Sequence, residues 1–326
     1  MEYRKLGRTG LKVSALCLGT MTFRWTSTEH QALRVLDRAY DAGINFIDTA
    51  DVYSSWAPGN PGGVAERIIG RWLKTKPRHQ IIIATKVRGR MWDGPTGEGL
   101  SRHHIMAAVE DSLRRLGTDY IDLYQTHWPD WDTPLEETLR ALDDLVRAGK
   151  VRYIGASNHA AWLLTKALWI SDKYNLARYE CIQPHYNLLN RAEVEPDLAA
   201  LCLDQGIGMI PYSPLAGGFL TGKYTRETIP PDSRGAQNER IAALRTESNF
   251  KLLDALREMG ELRGATIAQM ALAWLFTQPF VTAPIIGANT VAQLEELLGA
   301  VGLRLTEDEM LRLDKLTGVD RNWFRR

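Results

Sequence analysis

Eight short apolar runs recur along the chain, separated by stretches with helical spacing: ALCLGT (15–20), NFIDTA (45–50), IIIATKV (81–87), IDLYQTH (121–127), YIGASN (153–158), YECIQP (179–184), GMIPYSP (208–214) and TAPIIG (282–287). Most are apolar throughout rather than alternating, as parallel strands covered on both faces require. Between them, HQALRVLDRAYDAG (30–43) places Leu33, Leu36 and Tyr40 on one stripe and stops at a glycine. DTPLEETLRALDDLVRAGK repeats the pattern, with Leu135, Leu139, Leu142 and Val146 aligned and Gly149 past the end. Eight βα units predict an α/β fold of the closed (β/α)8 kind, a TIM barrel, over a doubly wound sheet. The absent fingerprints agree. No strand is followed by GxGxxG, and no GxxxxGKS/T loop occurs.

Three segments exceed the repeat. Glu2 to Val13 reads as an N-terminal β-hairpin with Gly7 and Gly10 near its turn. Residues 215–247 form a long polar loop after the seventh strand, and 303–326 a C-terminal tail with the helix-like LTEDEMLRLDKL. A length of 326 residues suits one large barrel or two ordinary domains. With no linker or low-complexity tract in view, one domain over 1–326 is expected. The apolar fraction of 44% is ample for a large core, and a net charge of +1 favours neither nucleic acid nor a membrane surface as partner. Cys17, Cys181 and Cys202 lack metal-like spacing and read as buried, reduced thiols. No run approaches membrane-spanning length, and the N-terminus lacks a signal-like apolar core, so a cytoplasmic protein is expected. Monomer and homo-oligomer both stay open.

In a parallel barrel all strand C-termini open onto one face, where active sites sit. Asp48 and Tyr53 follow the second run, Lys86 ends the third, and His127 ends the fourth. A phenol with a pKa near ~10 is a poor acid at neutral pH unless an ammonium stabilises its phenolate. A carboxylate beside that ammonium keeps it charged and oriented. An imidazole adds a hydrogen bond to the same carbonyl oxygen. Taken singly, Asp48 and Lys86 make an ordinary buried ion pair and Tyr53 an ordinary pocket wall. Four such groups at strand ends point instead to proton transfer to a carbonyl oxygen.

These motifs carry a resemblance. From KLGRTGLKVSALCLGTM to IIGANTVAQLEELLGAV, nearly the whole chain resembles the aldo-keto reductases, in the branch that includes potassium-channel β subunits. The resemblance implies reversible NAD(P)H-dependent reduction of aldehydes or ketones, without a metal. Tyr53 is then the general acid, assisted by Lys86, Asp48 and His127. It further implies a cofactor cleft. Thr20 and Asp48 stand at its strand ends, and Ser157, Asn158 and Gln183 serve the nicotinamide carboxamide. Tyr212 offers a stacking face for that ring. Ser213, Leu215, Gly217 and Lys223 follow along the pyrophosphate, where glycine permits close backbone approach. Gly287 ends the last strand and Thr290 opens a helix, with Gln293 and Glu296 toward the adenosine.

Two positions depart from the pattern. Asn289 stands where related sequences often carry arginine for the 2′-phosphate, and Leu297 where asparagine is frequent. Lys223, Arg234 or Gln293 then become the candidates for that phosphate, and the cofactor reads as NADPH with NADH use also allowed. Trp25, Trp56, Trp92, Trp128 and Trp131 fall in βα loops, an aromatic mouth suited to aryl aldehydes, flat ketones or a sugar face, unless they pin loops to the rim. Trp25, Trp56, Trp92 and Trp128 are taken as the pocket set, with Trp323 and Phe324 as a closing tail. His103 and His104 are expected to face solvent or cap a helix, and His185 to be structural. His127 and His185 also evoke a metal-dependent barrel hydrolase, but no ligand set accompanies them. A nicotinamide-binding regulatory subunit with slow turnover is the alternative function.

Overall fold

The computed structural model describes residues 1–319. Trp323 and Phe324 lie outside the described residues. The eight runs form strands β3 (Cys17–Gly19), β4 (Phe46–Asp48), β5 (Ile82–Val87), β6 (Ile121–Thr126), β7 (Val151–Ser157), β8 (Tyr179–Gln183), β9 (Gly208–Met209) and β10 (Ile285–Ile286). They are preceded by the antiparallel hairpin β1 (Tyr3–Lys5) and β2 (Lys12–Ser14). All neighbours in the main sheet are parallel, in the order β10-β3-β4-β5-β6-β7-β8-β9. Thr282 N donates to Met209 O at 2.7 Å and Ile285 N to Pro211 O at 2.9 Å, joining the last strand segment to β9 and closing the (β/α)8 barrel.

Helices α1 (Glu29–Asp41), α2 (Val64–Leu73), α3 (Arg102–Leu116), α4 (Leu135–Arg147), α5 (Ala161–Tyr174) and α6 (Leu198–Gln205) alternate with the strands. Local chemistry fixes several starts: Thr28 and Gln31 form a capping box on α1, and the Ser101 hydroxyl accepts from His104 N on α3. The segment expected to be a polar loop after the seventh strand is partly ordered into a 3-10 turn (Ala216–Thr221), α7 (Arg234–Gln237) and α8 (Glu239–Ala242). Elements this short carry too little hydrophobic period to read from sequence. Then come α9 (Glu247–Glu261), α10 (Ile267–Thr277), α11 (Val291–Leu298) and α12 (Glu307–Thr317). Among the described residues no helix is long and apolar enough to cross a membrane.

The barrel interior is layered by the period of two along each strand. A lower apolar layer holds Phe46, Ala84, Leu123 and Cys181, sealed by Leu6 and Val13 of the hairpin. Two residues further along the same strands stand Asp48, Lys86, Gln125 and Gln183, all buried. The apolar layer thus supports a polar one directly above it. The hairpin turn presses onto the barrel end: Gly7 has φ +57°, and a Cβ there would lie 2.5 Å from Gly206 O. The three cysteines are buried and unbridged.

Candidate active site

The polar layer is knit by one carboxylate. Lys86 Nζ donates to Asp48 Oδ2 at 2.7 Å and to Tyr53 OH at 2.8 Å, with a third bond to Thr49 O at 2.9 Å. The ammonium is thereby fully satisfied, which a buried charge requires. Tyr53 OH lies 3.3 Å from Asp48 Oδ2. The other carboxylate oxygen, Oδ1, accepts from Gln183 Nε2 at 2.8 Å and from Gln125 Nε2 at 3.3 Å. Gln183 Nε2 also reaches Gln125 Oε1 at 3.2 Å. Gln125 fits because β7 carries a glycine beside it: a Cβ on Gly155 would stand 3.2 Å from Gln125 Cγ.

Tyr53 hangs from the β4–α2 loop, Lys86 from β5, and His127 directly follows β6. The Tyr53 and His127 rings meet edge-on with centroids 5.9 Å apart. Burial, then the nearby Asp48 charge, pushes the Tyr53 phenol well above its ordinary value. The phenol therefore keeps its proton at neutral pH, with the Lys86 ammonium donating to the same oxygen, where a phenolate would form. His127 is depressed, first by burial and then by the Lys86 and Arg88 charges, and is a neutral imidazole there.

Above this floor opens a cavity of about 1100 Å³. Asp48, Tyr53 and His127 line it, as do Trp25, Trp56 and Trp128. The aromatic wall is continuous: Tyr53 meets Trp56 and Trp56 meets Trp25, both edge-on, and the Arg234 guanidinium lies 4.9 Å from the Trp25 ring centroid. Arg234 belongs to the strap after β9, so this last contact crosses the cleft. On the far wall, Asn158 adopts φ 57° and donates to His127 O at 2.9 Å, while accepting from Tyr212 OH at 2.9 Å. Ser157 Oγ donates to Gln183 O at 2.8 Å. Tyr212 is backed by His185, their rings nearly parallel with centroids 5.2 Å apart. Ser213, Leu215, Gly217 and Lys223 extend the wall. Gly287, Asn289, Gln293 and Glu296 complete it, with Leu297 beside them. The Gln293 side chain accepts from Asn289 N at 2.8 Å, and Thr290 caps α11.

Three expected residues stand elsewhere. Thr20 is fully buried off the cavity, its hydroxyl donating to Asp48 O at 3.0 Å. Lys86 lies beneath Tyr53 rather than on the wall. Trp92 does not line the cavity; its ring packs on His104 with centroids 4.7 Å apart. His104 corrects a further expectation. Its backbone serves the α3 cap, but its ring is buried and its Nδ1 donates to Thr96 O at 2.9 Å. Trp131 faces a different cavity. Among the described residues no group of three or more His, Cys, Asp or Glu is placed to hold a metal ion.

Residues 15–317 match the model of the aldo/keto reductase family. The chain belongs to the aldo/keto reductase family. It is 41% identical over 319 residues to the "Uncharacterized oxidoreductase YrpG" of Bacillus subtilis (strain 168), covering 96% of this chain and 94% of the relative. It is 37% identical to the "L-glyceraldehyde 3-phosphate reductase" of Escherichia coli (strain K12), covering 97% and 92%. It is also 37% identical to the "Probable voltage-gated potassium channel subunit beta" of Arabidopsis thaliana, covering 92% and 91%. This aldo/keto reductase is an NAD(P)H-dependent oxidoreductase.

The cavity of the reductase suits such a nucleotide on its own chemistry. It pairs amides and a buried phenol at one end with Lys223 and Arg234, which can meet phosphate, elsewhere on the wall. Gln125 is the site residue that reading strand ends overlooked. The signal for it was present, since Gln125 lies two residues before His127 and on the inward face shared with Leu123.

Proposed function

We propose that this reductase converts aldehydes or ketones to alcohols with Tyr53 as proton donor, the chain acting as one catalytic unit. The observation that carries the reading is the Lys86 ammonium bridging Asp48 Oδ2 and Tyr53 OH at 2.7 and 2.8 Å beneath a large cavity. The residues lining this cavity would hold a nicotinamide, whose chemistry would be hydride donation to a carbonyl carbon. Tyr53, kept protonated by burial, gives its proton to the carbonyl oxygen as negative charge develops on it. Lys86 stabilises the phenolate left behind, and Asp48 holds Lys86 in place. His127, neutral, donates to the same oxygen and orients it. Trp25, Trp56 and Trp128 wall the substrate space and favour flat or apolar carbonyl compounds.

Asn158, Gln183 and Ser157 would hold the carboxamide, and Tyr212 the ring face. Ser213, Leu215, Gly217 and Lys223 would follow the pyrophosphate, with Gly287, Asn289, Gln293 and Glu296 toward the adenosine. We assign NADPH as donor, its 2′-phosphate drawing on Lys223 or Arg234. NADH is the second reading, favoured by the uncharged Asn289 and by the Glu296 carboxylate on the same wall.

Paired steady-state oxidation of NADPH and NADH with an activated aromatic aldehyde tests both points. Turnover is expected, and the ratio of kcat/KM values decides the donor. Tyr53→Phe should lower kcat by about 10²–10⁴-fold, the usual range for a lost general acid, with cofactor affinity unchanged. Full activity in that variant sinks the assignment. Tight binding of both nucleotides with negligible turnover would move the reading to a regulatory, cofactor-sensing subunit.

A further inference from the structure

A second cavity of about 310 Å³ lies between the β6–α4 loop and the first turns of α5, and shares no lining residue with the large one. Its volume is at the lower end of small-molecule sites. Trp131 and Trp162 flank its mouth with nearly parallel rings, 18° apart, centroids separated by 6.2 Å. They are 71% and 61% exposed, an unusual position for two indoles with no core to fill. Leu100, Leu135 and Leu163 make the inner wall.

The polar groups select among ligands. His159, 4% exposed, lines the cavity and donates from Nδ1 to Ser157 O at 2.8 Å, which leaves Nε2 as an acceptor. The Asp130 carboxylate is occupied by Leu100 N, Asp132 N and Thr133 Oγ1. Asp132 and Lys166, both exposed, also line the cavity, and among the described residues neither side chain has a hydrogen-bond partner. Two carboxylates against one ammonium disfavour an organic anion, while Lys166 disfavours a cation. The open acceptors, Asp132 and His159 Nε2, outnumber the one open donor and ask for hydroxyl groups. Flat indole faces ask for a ring with an apolar face. A pyranose meets all three conditions.

We propose that this cavity is a second ligand site for a neutral polyhydroxylated ring, a monosaccharide unit stacked on Trp131 or Trp162 with hydroxyls donating to Asp132 and His159. The site shares no lining residue with the cofactor cleft.

The test is ligand-observed saturation-transfer NMR on the full chain with methyl α-glucopyranoside, methyl α-mannopyranoside and methyl β-galactopyranoside. These glycosides have no free carbonyl, so they cannot report on a reductase site as substrates. At least one should bind saturably with a millimolar-range dissociation constant, weakened tenfold or more by Trp162→Ala or Asp132→Asn. Tyr53→Phe should leave binding unchanged, and Trp162→Ala should leave aldehyde reduction unchanged. Absence of saturable transfer from all three glycosides would overturn the proposal, as would binding that persists in both Trp131→Ala and Trp162→Ala. If no glycoside binds and Trp162→Ala sediments at a lower mass than the wild-type protein, the indoles cover a second copy of the chain instead.

Discussion

At the scale of single residues, Asp48 is the hub. One oxygen takes the ammonium and the other takes two amides. Burial and the Asp48 charge hold the proton on Tyr53, while Lys86 donates to the same oxygen and is placed to stabilise the phenolate. A group that works protonated and titrates above its ordinary value loses function only as pH rises. The rate of reduction should therefore hold level through neutrality and past the ordinary phenol value of about 10 before falling. Asp48→Asn should bring that alkaline limb to lower pH; a limb already near neutrality in the wild type would contradict the electrostatics. Gln125 touches no open cavity wall but steadies Oδ1. Gln125→Leu should lower kcat by about tenfold, the loss of one charge-assisted hydrogen bond of ~1.5 kcal/mol, and leave the cofactor dissociation constant near wild type. An unchanged kcat would mean that Gln183 alone suffices to position the carboxylate.

At the scale of elements, the strap after β9 is tied across the cleft by Arg234 on Trp25. If cofactor lies beneath it, Arg234→Ala should speed cofactor release about threefold, consistent with ~0.5–1 kcal/mol for a cation–π contact. Stopped-flow chase of bound nucleotide measures it, and an unaltered release rate would show that the strap holds by other contacts. The eight strands were readable in the chain because most are continuous apolar runs, and the hairpin because Gly7 and Gly10 mark its turn. The convergence of Asp48, Tyr53, Lys86 and His127 was readable because strand C-termini share one face. Trp92 misled because a loop position near the mouth fixes neither direction nor partner, and here His104 supplies a buried partner instead. Gln125 was missed because its chemistry, an amide, is common in strands, and only the inward alternation marks it.

For the whole molecule, buried histidines set a direction for acid stability. Burial lowers His104 and His159, and each donates from Nδ1 to a backbone carbonyl. Each is neutral when folded and takes up a proton on unfolding below its ordinary value. Their contribution is thus complete above about pH 6.5 and is lost as pH falls toward the folded values, by up to ~1.4 kcal/mol per pH unit for each. Urea unfolding at stepped pH should show this slope, and His159→Phe should flatten part of it; equal slopes would mean that His159 does not titrate on unfolding. The stacked layers inside the barrel carry a last consequence, for heredity rather than chemistry. Each of Asp48, Lys86, Gln125 and Gln183 stands two positions beyond an apolar neighbour that fills the core below. Losing one residue between such a pair would swing one of them out to face the helices. Foldability and catalysis would fail in the same generation. The loops that shape the mouth are under no such bond, so a lineage can change what it accepts while the machinery beneath passes on unaltered.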